Sequence, residues 1–88
     1  MTRKRSIISA DIHELPRVPL IEIAGERRVL LENHHGVLEY GDSRICVRVK
    51  FGCVRICGEC LVIAKMTAEQ LIICGKINAV ELLRRETY

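Results

Sequence analysis

The feature that most constrains this chain is a succession of about eight short β-type runs that restart after roughly eight residues. Only a few residues separate one run from the next. The runs cover residues 20–24, 28–32, 36–40, 44–51, 53–57, 60–64, 70–74 and 77–83. Connections of two or three residues favour antiparallel neighbours, because a parallel crossover needs about a dozen residues. The pattern therefore predicts an all-β fold, either a small antiparallel sandwich or roll, or a short β-solenoid-like stack.

The alternation within each run predicts which side chains form the core. Val29 and Leu31 fall on one face, and the same parity directs Leu38 and Tyr40 inward. The longest run places Ile45, Val47, Val49 and Phe51 on the face opposite to Arg44, Cys46, Arg48 and Lys50. We expect the first of these two sets to be buried.

Three segments between or after the runs carry specific expectations. Residues 33–36 read as a tight turn, so runs two and three are predicted to pair as a hairpin with His34 and His35 in solvent at its tip. Thr67 followed by Gln70 resembles a capping box and predicts one helical turn over 66–70. Residues 77–83 fit either a strand or a helix, and the strand is favoured.

Length and charge indicate one small domain. The 88 residues are divided into a flexible basic arm over 1–14 and a single β domain over 15–88. A net charge of +3 is too small to imply nucleic acid. The arm contains Arg3, Lys4 and Arg5, which could make a weak peripheral contact with an anionic membrane.

The location follows from what the sequence contains near its start and in its cysteines. Ile7-Ile8 is too short for the apolar region of a signal peptide, and an odd number of cysteines is typical of free thiols in a reducing compartment. We therefore expect a cytoplasmic protein.

The cysteines provide one alternative function. Cys57 and Cys60 form a C-x-x-C spacing, and Cys53 lies four residues earlier. A small metal-binding or redox module would use these three thiols, but a second cysteine pair is missing, so free thiols in strands, with no cofactor, are the favoured interpretation. No nucleophile motif accompanies the histidines, and the short connections leave little room for an active site, so we expect no catalytic residues and no enzyme.

Two surfaces are predicted to bind a protein partner. The late runs 60–64 and 70–74 are apolar on both faces, which leaves Val62 and Ile72 outside the core and available to a second subunit or another protein. Arg44, Arg48, Lys50 and Arg55 share one face of two neighbouring strands, which is either a plain solvated face or a candidate electrostatic surface for an acidic partner or an anionic lipid. That face offers no aromatic side chain for base stacking, which argues against nucleic acid.

A family resemblance adds a biological setting. The motifs that carry it are Leu15-Pro16-Arg17, Ile23-Ala24-Gly25, Glu32-Asn33-His34 with Gly36, Val54-Arg55-Ile56-Cys57-Gly58, Met66-Thr67, Gln70-Leu71 and Gly75-Lys76-Ile77. In order and spacing they resemble the YabP/YqfC family of sporulation proteins, most closely its YqfC-like members. The resemblance implies a non-enzymatic protein of the mother cell during endospore formation, cytoplasmic or peripheral to a membrane. It also implies a membrane-associated partner of the YqfD type, while the exposed strand edges and the second apolar face of the late runs predict self-assembly or a protein partner.

Overall fold

A computed structural model describes residues 18–85 of the chain. Six β-strands and no helix occur within this range. The strands are β1 (Leu20–Ala24), β2 (Arg28–Glu32), β3 (Val37–Tyr40), β4 (Arg44–Val49), β5 (Gly52–Met66) and β6 (Gln70–Arg84). The basic arm with Arg3, Lys4 and Arg5 lies outside the described residues.

The strands form one open antiparallel sheet in the order β1-β2-β6-β5-β4-β3. This confirms the all-β antiparallel prediction and excludes the solenoid alternative, whose stacked strands would run parallel. The number of strands is six rather than about eight, because runs 53–57 and 60–64 are both part of β5, and runs 70–74 and 77–83 are both part of β6. Residues 77–83 are therefore strand.

Both long strands bend where the sequence predicted turns. The pairing of β5 with β6 changes register between Cys57 and Gly58 and again between Glu59 and Val62. Such bulges bend a strand and increase its twist without ending it. Glycine is required here, because a Cβ atom on Gly58 would overlap the carbonyl oxygen of Lys76, and one on Gly75 would lie 2.6 Å from that of Cys60.

The bend divides the sheet into two halves that share β5 and β6. The first half-sheet contains β1, β2, residues 70–74 of β6 and residues 62–66 of β5. The second contains residues 79–84 of β6, residues 52–57 of β5, β4 and β3. Buried side chains from both halves form a single cluster, so the sheet folds over its own inner face. The core consists of Val29, Leu31, Ile45, Val47, Val49, Val54, Ile56, Leu61, Leu71, Ile73 and Ile77.

Two local predictions are wrong. β2 and β3 do not form a hairpin: β2 pairs with β1 and β6, β3 pairs with β4, and residues 33–36 cross from one half-sheet to the other. Residues 67–70 form a hairpin turn instead of a helical turn, since the Thr67 N–H donates to the Gln70 carbonyl at 2.7 Å. The Thr67 hydroxyl still accepts the N–H groups of Glu69 and Gln70, as the capping-box pattern indicated.

Candidate partner-binding surfaces

The outer face of the first half-sheet carries an apolar patch, which we define as Leu20, Leu30, Val62, Ile72 and Cys74. Ile72 lies directly opposite Leu30 on β2, and Val62 lies opposite Cys74 on β6. Val62 is 49% exposed, whereas its neighbour on the inner face, Ile63, packs against the core. The structure thus places the two apolar residues predicted to bind a partner on one continuous surface, which can receive apolar side chains from another molecule.

The predicted basic surface is divided by ion pairs. Arg44, Arg48 and Arg55 lie on the outer face of the second half-sheet, and Lys50 lies in the turn between β4 and β5. Arg55 pairs with Glu81 on β6, with Nε 2.7 Å from Oε1, and this carboxylate raises the pKa of the arginine. Arg44 lies 3.4 Å from the carboxylate of Glu39. Of these four residues, Arg48 and Lys50 have no acidic partner within residues 18–85.

These two residues belong to a different feature, a groove of about 490 Å³ at the end of the second half-sheet. We call it the basic groove, because its lining includes His35, Arg48, Lys50, Arg84 and Arg85. Nothing in the local pattern indicated that Arg84 and Arg85 would join Arg48. They meet because the Arg85 N–H donates to the carbonyl of Phe51 at 2.8 Å, which fixes the end of β6 beside the β4–β5 turn.

Cys46 lies under the arginines with its thiol withdrawn from solvent. Its Sγ donates to the carboxylate of Glu39 at 3.3 Å. Burial, together with the hydrogen bond to Glu39, raises the pKa of the Cys46 thiol to about 11. The thiol is therefore protonated at neutral pH, which makes it a poor nucleophile and a poor metal ligand.

The other cysteines do not form a site. Cys53 and Cys57 occupy the outer face of β5, whereas Cys60 lies in the bulge with a φ of 54° and is exposed. All five cysteines are free. Across residues 18–85, no group of three or more His, Cys, Asp or Glu side chains could hold a metal ion. The geometry gives the metal or redox alternative based on Cys53, Cys57 and Cys60 no support.

The two adjacent histidines differ in environment. His34 is buried, contrary to the prediction of a solvated pair. Its Nε2 lies 2.9 Å from the carbonyl oxygen of Thr67, and its Nδ1 accepts the Gly36 N–H at 3.0 Å. Nε2 therefore fastens the crossover segment to the β5–β6 turn, and Nδ1 holds the crossover itself in shape through Gly36. His35 is exposed and lines the basic groove.

The bend also leaves strand edges without a neighbour. β1 and β3 end the sheet, and within residues 18–85 the segments 62–66 of β5 and 79–84 of β6 each have a strand on one side only. Apolar side chains beside these edges are exposed, including Ile23, Tyr40, Met66 and Leu82. An unpaired edge flanked by apolar side chains can accept a strand from another chain.

Comparison with known proteins gives the family. Residues 18–85 contain no helix long and apolar enough to cross a membrane. The chain is 28% identical over 80 residues to the uncharacterized protein YqfC of Bacillus subtilis (strain 168), an alignment that covers 91% of this chain and 83% of that protein. No solved structure matches. The family model described as the YabP family matches residues 17–88, and the chain therefore belongs to the YabP family.

Proposed function

We propose that this protein is a non-enzymatic assembly component of endospore formation that acts in the mother cell. It binds through its sheet either to further copies of itself or to a membrane-associated sporulation protein of the YqfD type. Membership of the YabP family supports the link to sporulation. The contact itself is proposed from the surfaces of the molecule.

The observation that carries the proposal is the apolar patch on the outer face of the first half-sheet. An 88-residue chain has few apolar side chains to spare, yet Leu30 and Ile72 face each other there and not in the core. Charged residues border the patch, with Glu22 opposite Leu30 on β1 and Lys65 opposite Ile72 on β5. An apolar centre with a charged rim is the usual composition of a protein–protein contact.

The free strand edges provide a second element of the contact. Segment 62–66 of β5 borders the apolar patch directly, because Val62 belongs to both. A partner strand that pairs with this edge would gain backbone hydrogen bonds and cover Val62 at the same time. The same contact would remove an exposed edge that otherwise favours uncontrolled aggregation.

The test replaces patch residues with lysine. Val62→Lys and Ile72→Lys, singly and together, should reduce self-association and co-purification with a co-expressed YqfD-type protein by more than tenfold, since each apolar side chain loses about 2 kcal/mol of burial. Ser43→Lys is the matched control, because Ser43 is exposed in the turn between β3 and β4, outside the apolar patch and outside the unpaired edge segments. Light scattering after size exclusion measures the oligomer, and affinity capture in mild detergent measures the partner.

The result that contradicts the proposal is equally defined. If the two single variants and the double variant all retain the oligomer size and the partner recovery of the Ser43→Lys control, the patch is not the contact. Circular dichroism of each variant verifies that the sheet is intact.

A further inference from the structure

The basic groove has a role that the apolar patch does not explain. Its permanent cations come from two separate parts of the chain: Arg48 and Lys50 at the end of β4 and in the following turn, and Arg84 and Arg85 at the end of β6. His35, from the crossover, completes the set. All five side chains are exposed, so the groove presents four permanent positive charges to whatever approaches that end of the molecule.

The charges in the groove are not neutralised by their described neighbours. No acidic residue of the described range lines the groove. The two ion pairs of residues 18–85 involve Arg44 and Arg55, which lie outside it. Like charges gathered in this way repel one another, so they create a local positive potential that an anionic partner would relieve.

The apolar side chains around the groove complement its charge. Leu38 is 54% exposed and lines the groove, and Leu83 forms part of its floor beside Cys53. The end of the second half-sheet thus combines cations with apolar side chains that can enter the boundary between lipid head groups and acyl chains.

We propose that this end of the molecule docks on the surface of an anionic phospholipid bilayer, with the groove cations contacting lipid phosphates. A bilayer presents phosphates over its whole area, so side chains from three chain segments can be satisfied together without a fixed spacing between anions. Nucleic acid fits the groove less well, because His35 is the only aromatic ring in its described lining, and a strand of nucleic acid needs several rings on which successive bases stack. An acidic peptide would leave the exposed Leu38 without an apolar counterpart. This inference goes beyond the proposed assembly role and does not depend on it.

The expected strength follows from the charge count. Each basic side chain near an anionic surface raises the partition coefficient of the protein onto the membrane by about fivefold. Removal of two groove cations should therefore weaken binding by about 30-fold, and their replacement by acidic residues by more.

The experiment measures co-sedimentation of the full chain with vesicles of phosphatidylglycerol and phosphatidylcholine, and with vesicles of phosphatidylcholine alone. The wild type should bind only the anionic vesicles, and less at high salt. Arg84→Glu with Arg85→Glu, and separately Arg48→Glu with Lys50→Glu, should each lose at least about 30-fold in partition. Arg27→Glu with Arg28→Glu is the matched control, since it changes net charge equally on the β1–β2 hairpin and should lose about threefold or less.

Several results would overturn the inference. Equal losses in the groove and control variants would mean that net charge alone governs binding. Unchanged binding of both groove variants would assign it to another part of the chain. Tighter binding to mixed-sequence RNA or to a polyglutamate peptide than to the anionic vesicles would assign the groove to a different partner. Circular dichroism of each variant excludes unfolding as the cause.

Discussion

At the scale of the residue, Cys46 shows how the outer face is organised. Its thiol donates to one oxygen of Glu39, and Arg44 approaches the other oxygen. The carboxylate on β3 is thus shared between a cation and a neutral donor, both of which lie on the neighbouring strand β4. Burial, together with this hydrogen bond, keeps Cys46 protonated in the folded protein and raises its pKa to about 11 from an ordinary value of 9.0.

The raised pKa of Cys46 predicts a loss of stability at alkaline pH. The unfolded thiol ionises near 9.0 and the folded thiol near 11. The stabilisation is therefore fully present below pH 9 and is lost as the pH rises through 11, to a total of about 3 kcal/mol. Urea unfolding at pH values across this window should show a steeper decline for the wild type than for Cys46→Ala. Cys57→Ala retains the network and should follow the wild type; parallel curves for all three proteins would contradict the prediction.

Residue parity was sufficient to predict most of the core. Val29, Leu31, Ile45, Val47, Val54 and Ile56 are all buried, because each lies inside a strand whose alternation is local. Leu38 and Tyr40 were expected to point inward but are exposed. A bulge shifts the pairing of β3 with β4, and β3 is an edge strand with no further strand beside it. The burial of His34 was missed because its hydrogen-bond partner Thr67 lies 33 residues away in the sequence and meets it only in the folded sheet.

At the scale of the element, the two long strands are the largest departure from the sequence prediction. Gly58-Glu59 and Gly75-Lys76 have the composition of turns, and nothing in the local pattern separates a turn from a bulge. The outcome is decided by a non-local fact: the bulge around Gly58 and Cys60 lies against the one at Gly75 and Lys76. Both strands therefore bend at the same place and continue.

A methyl group at the bend should be costly. Gly58→Ala places its Cβ on the carbonyl oxygen of Lys76, which belongs to the backbone and cannot rotate away. We expect a loss of about 1–3 kcal/mol in the free energy of unfolding, measured by urea titration. Gly41→Ala is the control, because its nearest neighbour is the Arg44 carbonyl at an ordinary 3.5 Å. A Gly58→Ala protein as stable as Gly41→Ala would show that the bend tolerates a side chain.

At the scale of the whole molecule, two connections keep the half-sheets together. β5 and β6 pass through the bend at one end, and the crossover over residues 33–36 joins the halves at the other. The sequence predicted the antiparallel pairing of neighbouring runs but not the pairing of β2 with β6, which lie about forty residues apart. The outward position of Val62 and Ile72 follows from alternation within their own strands and could be predicted. The basic groove combines three distant segments and could not.

The crossover should determine the stability of the whole fold. His34→Ala leaves the Gly36 N–H and the Thr67 carbonyl without their partner, at a cost of about 1–3 kcal/mol each. In a domain of this size the melting temperature should fall by about 10 °C or more, with a single transition because both halves share two strands. His35→Ala should melt near the wild-type temperature. A second, separate transition in His34→Ala would mean that the halves unfold independently.

One row of side chains crosses the second half-sheet from Val37 through Val47 and Val54 to Leu82, where no further strand follows among the described residues. Leu82 is 59% exposed although it is in line with three side chains of the interior. A strand from another chain that pairs with this edge would extend the row, so one of its apolar residues would have to lie opposite Leu82. A slip of one residue would turn its wrong side toward the row. The exposed Leu82 therefore restricts the register in which such a strand can pair, and with it the positions at which its sequence must be apolar.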